Sequence, residues 1–287
     1  MSEISFDLSG KLSSSIISAI NNLKKVSDSL NIPFIIVGAT ARDLILEHQY
    51  KIKSPRATKD IDLGVEVAAW DQFHMLSNAL LETGVFSSTK TKQRFLFGPI
   101  IIDIVPFGPI TNEQGIISWP PEHEIIMSML GFKEAYEYCL SIRLSRDPEL
   151  IVKIPSLPGL ALLKIISWQD NYPNRKKDAE DLLFIMKKYS DAGNDSRLYE
   201  KELTLLREEG ADPIAAGIRL LGRDMAKISD SDTMHTVSAI LIKETGEQNR
   251  YRLVEDIISS KPARYNFDEI LNDVEKLKKG FFEVTRT

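Results

Sequence analysis

The spacing of hydrophobic residues changes along the chain and divides it into a mixed first half and a helical second half. In the first half, short apolar runs bounded by turn residues predict strands. These runs lie at residues 34–37, 61–67, 90–98 and 100–105. Apolar residues three and four positions apart predict the helices among them, at 11–30, 40–48 and 69–83.

The pattern is weaker from residue 106 to residue 154. Residues 106–121 are rich in turn formers, 123–138 predict a helix, and 141–144 and 150–154 predict a small sheet extension. From residue 155 onward every predicted element is a helix. These helices begin near Leu157 and Asn174 and then occupy residues 196–209, 213–229, 231–245, 248–259 and 267–280. We therefore predict an α+β domain at 1–154 and an all-helical C-terminal domain at 155–287.

Composition excludes several classes of protein. The chain has 287 residues, 43% of them hydrophobic, which is enough for two domains of modest size. A net charge of -5 argues against a protein that coats nucleic acid broadly. One cysteine and four scattered histidines provide neither an intramolecular disulfide nor a zinc-ligand spacing. The amino terminus has no secretory pattern and no apolar run is long enough to span a bilayer, so we expect a reduced, cytoplasmic protein without a membrane partner.

Three aspartates interrupt apolar strands. Asp60 and Asp62 are two positions apart, so a strand places them on one face. Two adjacent carboxylates repel each other unless a cation or a proton lies between them, and oxygen ligands suit Mg²⁺. Asp103 lies in the run Ile100–Val105, where an unpaired charge is costly to bury. A three-carboxylate metal site accounts for all three residues. The alternatives are a solvated strand face for the pair and a turn cap for Asp103.

A glycine turn precedes these strands. The strand at 34–37 stops at Gly38, which has no Cβ to obstruct an approaching ligand, and a helix follows. The first N–H groups of that helix form a natural seat for phosphate. Arg42 lies in its first turn, either as part of this seat or in a surface ion pair. The segment that connects this helix to Asp60 contains four basic residues, whose side chains either bind an anion or are solvated: Lys51, Lys53, Arg56 and Lys59.

A second group of charged residues lies at the start of the helical domain. Lys164 stands in an apolar helix, where it either extends its ammonium to water or binds a phosphate or an aspartate. We predict Asn174 as the N-cap of the next helix, which puts Arg175, Lys176 and Lys177 at the positive end of the helix dipole. An anion bound there would offset that unfavourable arrangement. Asp178 follows on the same helix.

The order of these motifs resembles the nucleotidyltransferase superfamily with a polymerase-β-like catalytic core. Members have a glycine turn, then an Asp-x-Asp strand, then a third acidic residue. The sequence Val-Gly-Ala-Thr-Ala-Arg-Asp-Leu at 37–44, followed by Thr-Lys-Asp-Ile-Asp at 58–62, is more narrowly similar to the AbiEii-type nucleotidyltransferases of toxin–antitoxin and phage-defence systems. The lysine at 164 and the Lys-Asp-x-x-Asp at 177–181 also match that type. One departure is Ala39, which replaces the superfamily's serine, so Thr40 or a backbone N–H would have to contact the phosphate.

The resemblance implies a fold, a reaction and residue roles. The fold is an α/β nucleotidyltransferase core with a mixed, mostly antiparallel sheet. The reaction transfers a nucleoside monophosphate from an NTP to a hydroxyl of a tRNA 3′ end or a protein, and a cognate antitoxin would be the regulatory partner. Asp60, Asp62 and Asp103 would hold two Mg²⁺ ions, or Mn²⁺, and catalyse the transfer. Residues from both domains would bind the nucleotide: Gly38, Ala39, Thr40, Arg42, Lys164, Arg175, Lys177 and Asp178.

Two other functions are compatible with the sequence. A carboxylate-rich open pocket would suit transfer to a small molecule such as an aminoglycoside-type antibiotic. Ala39 in place of serine would suit a catalytically inactive nucleotide-binding module, whereas the intact aspartates argue against it. The pairing of strands 90–98 and 100–105 would also bring Arg94 near the acidic residues, although the sequence does not set its register.

Overall fold

The computed structural model describes residues 3–54, 56, 60–246, 251–260 and 265–284. The chain divides into two compact units, Met1–Ser156 and Leu157–Thr287. The first unit contains all the described strands, and the described elements of the second unit are helical. This arrangement confirms the predicted class, an α+β region followed by a helical one.

A five-stranded mixed sheet forms the centre of the first unit. Its strands are β2 (Phe34–Val37), β3 (Asp60–Glu66), β4 (Phe86–Ser88), β5 (Arg94–Phe97) and β6 (Ile100–Phe107). Their order is β2-β3-β6-β5-β4. Only the β3–β6 pair is parallel, and the other three pairs are antiparallel, as predicted for a mixed, mostly antiparallel sheet. The parallel pair lies in the interior of the sheet, where each strand has a hydrogen-bonded neighbour along both edges.

Three helical segments accompany this sheet. They are α1 (Ser14–Ser29), α2 (Gly38–Asp43) and α3 (Trp70–Glu82). Ser13 caps α1 by accepting a hydrogen bond from the N–H of Ile16, and α1 packs against α3. The helix predicted at 40–48 starts two residues earlier, at Gly38, and continues beyond α2 as a π-helical segment, Leu44–Gln49. There Tyr50 N donates to Ile45 O, five residues back.

The remainder of the first unit is built from smaller pieces. Strand β1 (Phe6–Asp7) lies beside the hairpin of β9 (Cys139–Arg146) and β10 (Glu149–Pro155), so the predicted strands at 141–144 and 150–154 are confirmed and extended. The helix predicted at 123–138 is wrong over its first half. Strand β8 (Ile126–Ser128) pairs there with β7 (Ile116–Ser118), and only α4 (Phe132–Glu137) is helical. Pairing with a segment ten residues away outweighed a weak helical pattern.

The second unit contains eight α-helices in its described part. They are α5 (Leu157–Asp170), α6 (Lys176–Lys188), α7 (Asp195–Glu200), α8 (Leu203–Glu208), α9 (Pro213–Ile228), α10 (Ser231–Thr245), α11 (Arg252–Ser260) and α12 (Phe267–Val284). An irregular turn, Ser190–Asn194, precedes α7. The single helix predicted at 196–209 is therefore two. The predicted Asn174 cap is also wrong, because Asn174 donates its side-chain amide to Asn171 Oδ1 and α6 begins at Lys176.

Helices α9 and α12 approach each other closely through glycine. A Cβ on Gly280 would lie 1.8 Å from Arg219 O, and one on Gly222 would lie 2.2 Å from Leu277 O. The backbones therefore touch where side chains would normally separate two helices. Apolar residues of both helices, among them Ile218, Leu221, Leu277 and Phe281, are fully buried. In the described part of the chain, no helix is both long and apolar enough to cross a membrane.

Candidate active site

Gly38 forms the boundary between β2 and α2 and lies directly against Asp62. Its φ of +67° is in the left-handed region, which glycine adopts without strain. Val37 pairs with Asp62 across the β2–β3 ladder. A Cβ on Gly38 would lie 2.1 Å from Asp62 Oδ2, so the carboxylate occupies the space that any other residue's side chain would need. Thr40 ties the same two segments together by donating its hydroxyl to Asp60 O at 2.8 Å.

The three aspartates are brought onto one face of the sheet. Asp60 and Asp62 are two residues apart on β3, and Asp62 is the register partner of Asp103 on the parallel strand β6. Register partners on adjacent strands point to the same face, about 5 Å apart at their Cα atoms. The register of the sheet therefore places Asp103 beside the Asp60–Asp62 strand, as the sequence predicted.

Arg94 completes this group from β5. It is the register partner of Asp103 across the β5–β6 ladder. Its Nε and Nη2 donate to the two carboxylate oxygens of Asp103, at 2.8 and 2.7 Å. These hydrogen bonds raise the pKa of Arg94 above its usual value, and the negative charges of Asp103, Asp60 and Asp62 raise it further, whereas burial opposes the shift. The guanidinium therefore lies within electrostatic reach of all three carboxylates.

The candidate ligands on this face have the donor atoms that a hard divalent cation accepts, but not the arrangement of a formed metal site. All three candidate ligands are carboxylates, the oxygen donors that Mg²⁺ and Mn²⁺ accept. Both oxygens of Asp103, however, already accept from Arg94. Among the residues that the structure describes, no group of three or more His, Cys, Asp or Glu side chains is arranged to hold a metal ion. The three carboxylates are thus neighbours on one face, and Asp103 is held there by Arg94.

Arg42 is buried, so the alternative of a surface ion pair is wrong. It is fully inaccessible to solvent and donates from Nε and Nη2 to Asp43 Oδ1, at 2.9 and 2.7 Å. Nη2 also donates to Ser54 Oγ at 2.8 Å, and that hydroxyl donates to Asp43 Oδ1. These bonds fix the segment between α2 and β3. Ala39 beside it is buried as well.

The cationic connection before Asp60 is only partly described. Lys51 donates its ammonium to His48 O at 2.6 Å, and Lys53 is exposed. Lys59 lies outside the described residues, so its predicted contact with an anion or with solvent remains a prediction.

Lys164, in the second unit, is buried between two aspartates. Its Nζ lies 2.6 Å from Asp178 Oδ1 and 2.8 Å from Asp181 Oδ2, and its side chain is 10% exposed. The alternative in which Lys164 extends to water is therefore wrong. Burial alone would lower the pKa of Lys164, but the attraction of both carboxylates outweighs it and raises the pKa. Ser167 adds a hydrogen bond to Asp178 Oδ2 at 3.0 Å, a contact that the sequence did not indicate.

The basic residues at the start of α6 have different surroundings. Arg175 is the N-cap residue, and its Nη1 lies 3.7 Å from Asp178 Oδ2. Lys176 approaches Asp256 Oδ1 at 3.3 Å, while Lys177 is exposed. Arg175, Lys164 and Asp178 therefore form one cluster within the second unit. Helix α6 has no side-chain cap at this end.

Comparison with known proteins gave distant structural likenesses. No protein-family model and no curated protein matches the sequence. The solution structure of the antibiotic-resistance factor ANT(2'')-Ia has 12% identity and a TM-score of 0.36, with 70% of this chain and 99% of that one covered. A CCA-adding enzyme in complex with ATP has 12% identity and a TM-score of 0.34, over 95% and 82% of the chains. The Thermotoga maritima CCA-adding enzyme complexed with tRNA has 12% identity and a TM-score of 0.27, over 96% and 83%. Every one of these TM-scores is below 0.5.

Proposed function

We propose that the chain is a metal-dependent nucleotidyltransferase that moves a nucleoside monophosphate from an NTP to an acceptor hydroxyl. The observation that carries this proposal is the fit between Gly38 and Asp62. A glycine in the left-handed region leaves room for a carboxylate that shares a sheet face with Asp60 and Asp103. A purely structural strand face would not require an acidic residue at that point of contact, since an apolar side chain could pack there without desolvating a charge.

The protein groups have separable tasks in this reaction. Asp60 and Asp62, with Asp103, would hold Mg²⁺ or Mn²⁺, which would supply charge neutralisation at the triphosphate and a lower pKa at the acceptor hydroxyl. Thr40 positions Asp60, because the Thr40 hydroxyl donates a hydrogen bond to the backbone carbonyl of Asp60. Phosphate contact at this turn would then come from the backbone N–H groups of Gly38 and Ala39, which offsets the missing serine. Arg42 acts by holding the turn through Asp43 and Ser54.

The sequence also predicts nucleotide contacts by residues of the second unit, and we extend the proposal to them. Arg175 and Lys177 carry the accessible positive charge near the start of α6 and would neutralise the leaving pyrophosphate. The ammonium of Lys164 would act through Asp178, since it is enclosed by Asp178 and Asp181. Its task is to keep the start of α6 in place beside α5.

We further propose that the chain is an AbiEii-like toxin that modifies a tRNA 3′ end or a protein hydroxyl. A cognate antitoxin would inhibit it. Support comes from the ordered motifs at 37–44, 58–62, 164 and 177–181. Transfer to either acceptor would be expected to block translation. The same carboxylate chemistry would also serve a small-molecule acceptor, and the assay described next distinguishes the acceptor classes.

The test is a transfer assay with every candidate acceptor. Purified protein is incubated with each α-³²P-labelled NTP and Mg²⁺, together with total tRNA, a cell protein extract or an aminoglycoside. Asp60→Asn is the inactive variant. Asp71→Asn, which changes an exposed carboxylate in the first turn of α3, is the matched control. We expect label in one acceptor class with wild type and Asp71→Asn, and none with Asp60→Asn.

Each result has a distinct meaning. Label in RNA or in protein supports the toxin proposal, and label in the aminoglycoside replaces it with small-molecule modification. Label that persists in Asp60→Asn overturns the assignment of the carboxylates. Absence of label in all acceptors, combined with NTP binding in a filter assay, favours the nucleotide-binding module.

A further inference from the structure

A tyrosine in the second unit exposes its ring while resting on an arginine. Tyr172 follows α5 and is 38% exposed. The guanidinium carbon of Arg252 lies 4.5 Å from the centre of its ring, and the Trp168 ring stands at 72° to it with the two ring centres 5.7 Å apart. Among the described residues, these two are its ring contacts. Tyr172 therefore presents an aromatic surface to solvent that is supported from the protein side.

The support beneath this ring is fixed by buried hydrogen bonds. Nη2 of Arg252 donates to Gln169 Oε1 at 2.9 Å and to Glu244 Oε1 at 2.6 Å, and Glu244 is fully buried. Trp168 is also fully buried, and its Nε1 donates to Asp256 Oδ2 at 3.0 Å. A cation over one face of an aromatic ring stabilises its position. The ring is therefore held in place before a ligand arrives, which lowers the entropy lost when one stacks on it.

A positively charged edge lies beside the ring. Residues 170–177 are all exposed, and they contain three basic residues and one acidic residue, Asp170. The chain as a whole has a net charge of -5, so this edge differs in sign from the rest of the molecule. Lys176 connects the edge to the aromatic support, because its Nζ lies 3.3 Å from Asp256 Oδ1 while its side chain is 54% exposed. An aromatic face and an accessible ammonium, the two features that bind single-stranded nucleic acid, thus lie at one corner of the second unit.

We propose that Tyr172 and Lys176 bind a single-stranded RNA acceptor, with one base stacked on the Tyr172 ring and a neighbouring phosphate on the Lys176 ammonium. The inference rests on the proposed function and names RNA among the acceptors that it left open. Stacking tolerates different sequences because every base has a π-face, and the ammonium contacts the backbone that all sequences share. Arg175 and Lys177, on either side of Lys176, keep their proposed role at the pyrophosphate.

The charge of this corner disfavours the other acceptor classes. An aminoglycoside is cationic at neutral pH, so an edge with excess positive charge repels it. An acidic protein surface would pair with Lys176, but the exposed ring of Tyr172 would add nothing to that contact between charges. RNA carries a planar base and a phosphate in every nucleotide, so it can use the ring and the ammonium together.

The experiment measures RNA binding by fluorescence anisotropy, without NTP or divalent cation, so it does not depend on transfer activity. The probe is a labelled oligoadenylate of about 12 nucleotides, within the site sizes of single-stranded binding folds. An abasic oligomer of equal length has the same phosphates and no bases. The variants remove or conserve the ring and the charge: Tyr172→Leu, Tyr172→Phe, Lys176→Gln and Lys176→Arg. Exposed residues of the same types elsewhere in the second unit provide the matched controls, Tyr199→Leu and Lys201→Gln.

Loss of the ring and loss of the charge should have different signatures. Tyr172→Leu should weaken oligoadenylate binding about tenfold and leave the abasic oligomer unaffected, because leucine still packs on Arg252 but stacks no base. Lys176→Gln should reduce the slope of log affinity against log salt by about 0.7, the value for one phosphate contact on a single strand. Tyr172→Phe, Lys176→Arg and both controls should bind like wild type. A ring with only a structural role would change the free energy of unfolding in urea and leave RNA binding as it was.

The results separate this site from the proposed function. Oligoadenylate binding that Tyr172→Leu leaves unchanged, or absence of binding in the wild type, overturns the RNA site, while the transfer assay still decides the proposed function. Equal weakening of the abasic oligomer by Tyr172→Leu overturns stacking. Polyglutamate that binds as tightly as oligoadenylate and with the same dependence on Lys176 overturns RNA in favour of an acidic protein. RNA binding with the expected losses, but without transfer that depends on Asp60, supports the site and overturns the transferase.

Discussion

Gly38→Ala should disable the carboxylate site while the first unit remains folded. The new methyl group would lie 2.1 Å from Asp62 Oδ2, 2.9 Å from Cγ and 3.0 Å from Cβ. Rotation of the Asp62 side chain relieves the contact with Oδ2 but not the one with Cβ, which is fixed to β3. The carboxylate therefore has to turn away, and the β2–β3 pair has to yield by a few tenths of an ångström.

The free-energy cost has two parts that a control separates. Alanine at φ +67° costs about 1–2 kcal/mol in the left-handed region. Overpacking against Asp62 adds about 1–3 kcal/mol. Gly84 has a nearly equal φ of +71°, and nothing lies within 4 Å of its would-be Cβ. Gly84→Ala therefore has only the conformational cost of a left-handed alanine. The difference in unfolding free energy between the two variants then measures the contact with Asp62.

The assay combines stability with metal binding. Urea unfolding followed by circular dichroism should show Gly38→Ala about 1–3 kcal/mol less stable than Gly84→Ala. Mn²⁺ affinity should fall at least about tenfold in Gly38→Ala alone. Nucleotide transfer should fall about 100-fold, since misplacing a catalytic group by an ångström has an effect of that size. Equal stability and equal Mn²⁺ affinity in the two variants would refute the placement of Asp62 against Gly38.

Three further variants test the second unit. Lys164→Met removes the buried ammonium that lies between Asp178 and Asp181 and should cost about 3–5 kcal/mol in unfolding free energy, measured with urea near pH 7. An unchanged value would mean that the ammonium is dispensable. Gly280→Ala should destabilise the second unit by about 2 kcal/mol or more, because the added Cβ meets Arg219 O, whereas the same change in an open helix would stabilise by about 1 kcal/mol. A gain in melting temperature would contradict the close α9–α12 contact. Burial raises the pKa of Glu209, but hydrogen bonds from Lys276, Lys279 and Arg219 outweigh that effect and lower it to about 2. The stability that this carboxylate contributes is complete above its unfolded pKa of 4.5 and is lost as pH falls from there toward about 2, by at most about 3 kcal/mol. Glu209→Gln should therefore be less stable than wild type at pH 6 and nearly equal to it near pH 2, and a difference that does not vary with pH would exclude this linkage.

The central part of the fold was predictable because its signals are local. Strand β2 is a four-residue apolar run that ends at a glycine, and its predicted bounds agree with the structure. Helices α9 and α10 begin at Pro213 and Ser231, as the sequence predicted, and the side chains of Asp212 and Asp230 cap them by accepting hydrogen bonds from the first turn. Where a helix cap, or a change from strand to helix spacing of the apolar residues, lies within a few residues, the sequence was sufficient to predict the element.

Features that depend on distant partners were missed or left open. Strand β8 forms because β7 is available to pair with it, and nothing within 123–138 itself indicates that partner. Arg94 was expected near the acidic residues, but its contact with Asp103 depends on the β5–β6 register. Lys164 could bind a phosphate, an aspartate or water as far as the sequence showed, and the packing of α5 against α6 selects the aspartates.

The glycine contact between α9 and α12 also bears on the order in which the second unit can form during synthesis. The ribosome produces Gly280 about 60 residues after Arg219, so at about 5–20 residues per second the matching surface of α9 waits about 3–12 seconds for its partner. During that interval the face of α9 that α12 later covers is open to hydrophobic partners in the cell. Nascent chains of this protein therefore present a transient binding surface to chaperones that the finished molecule does not have.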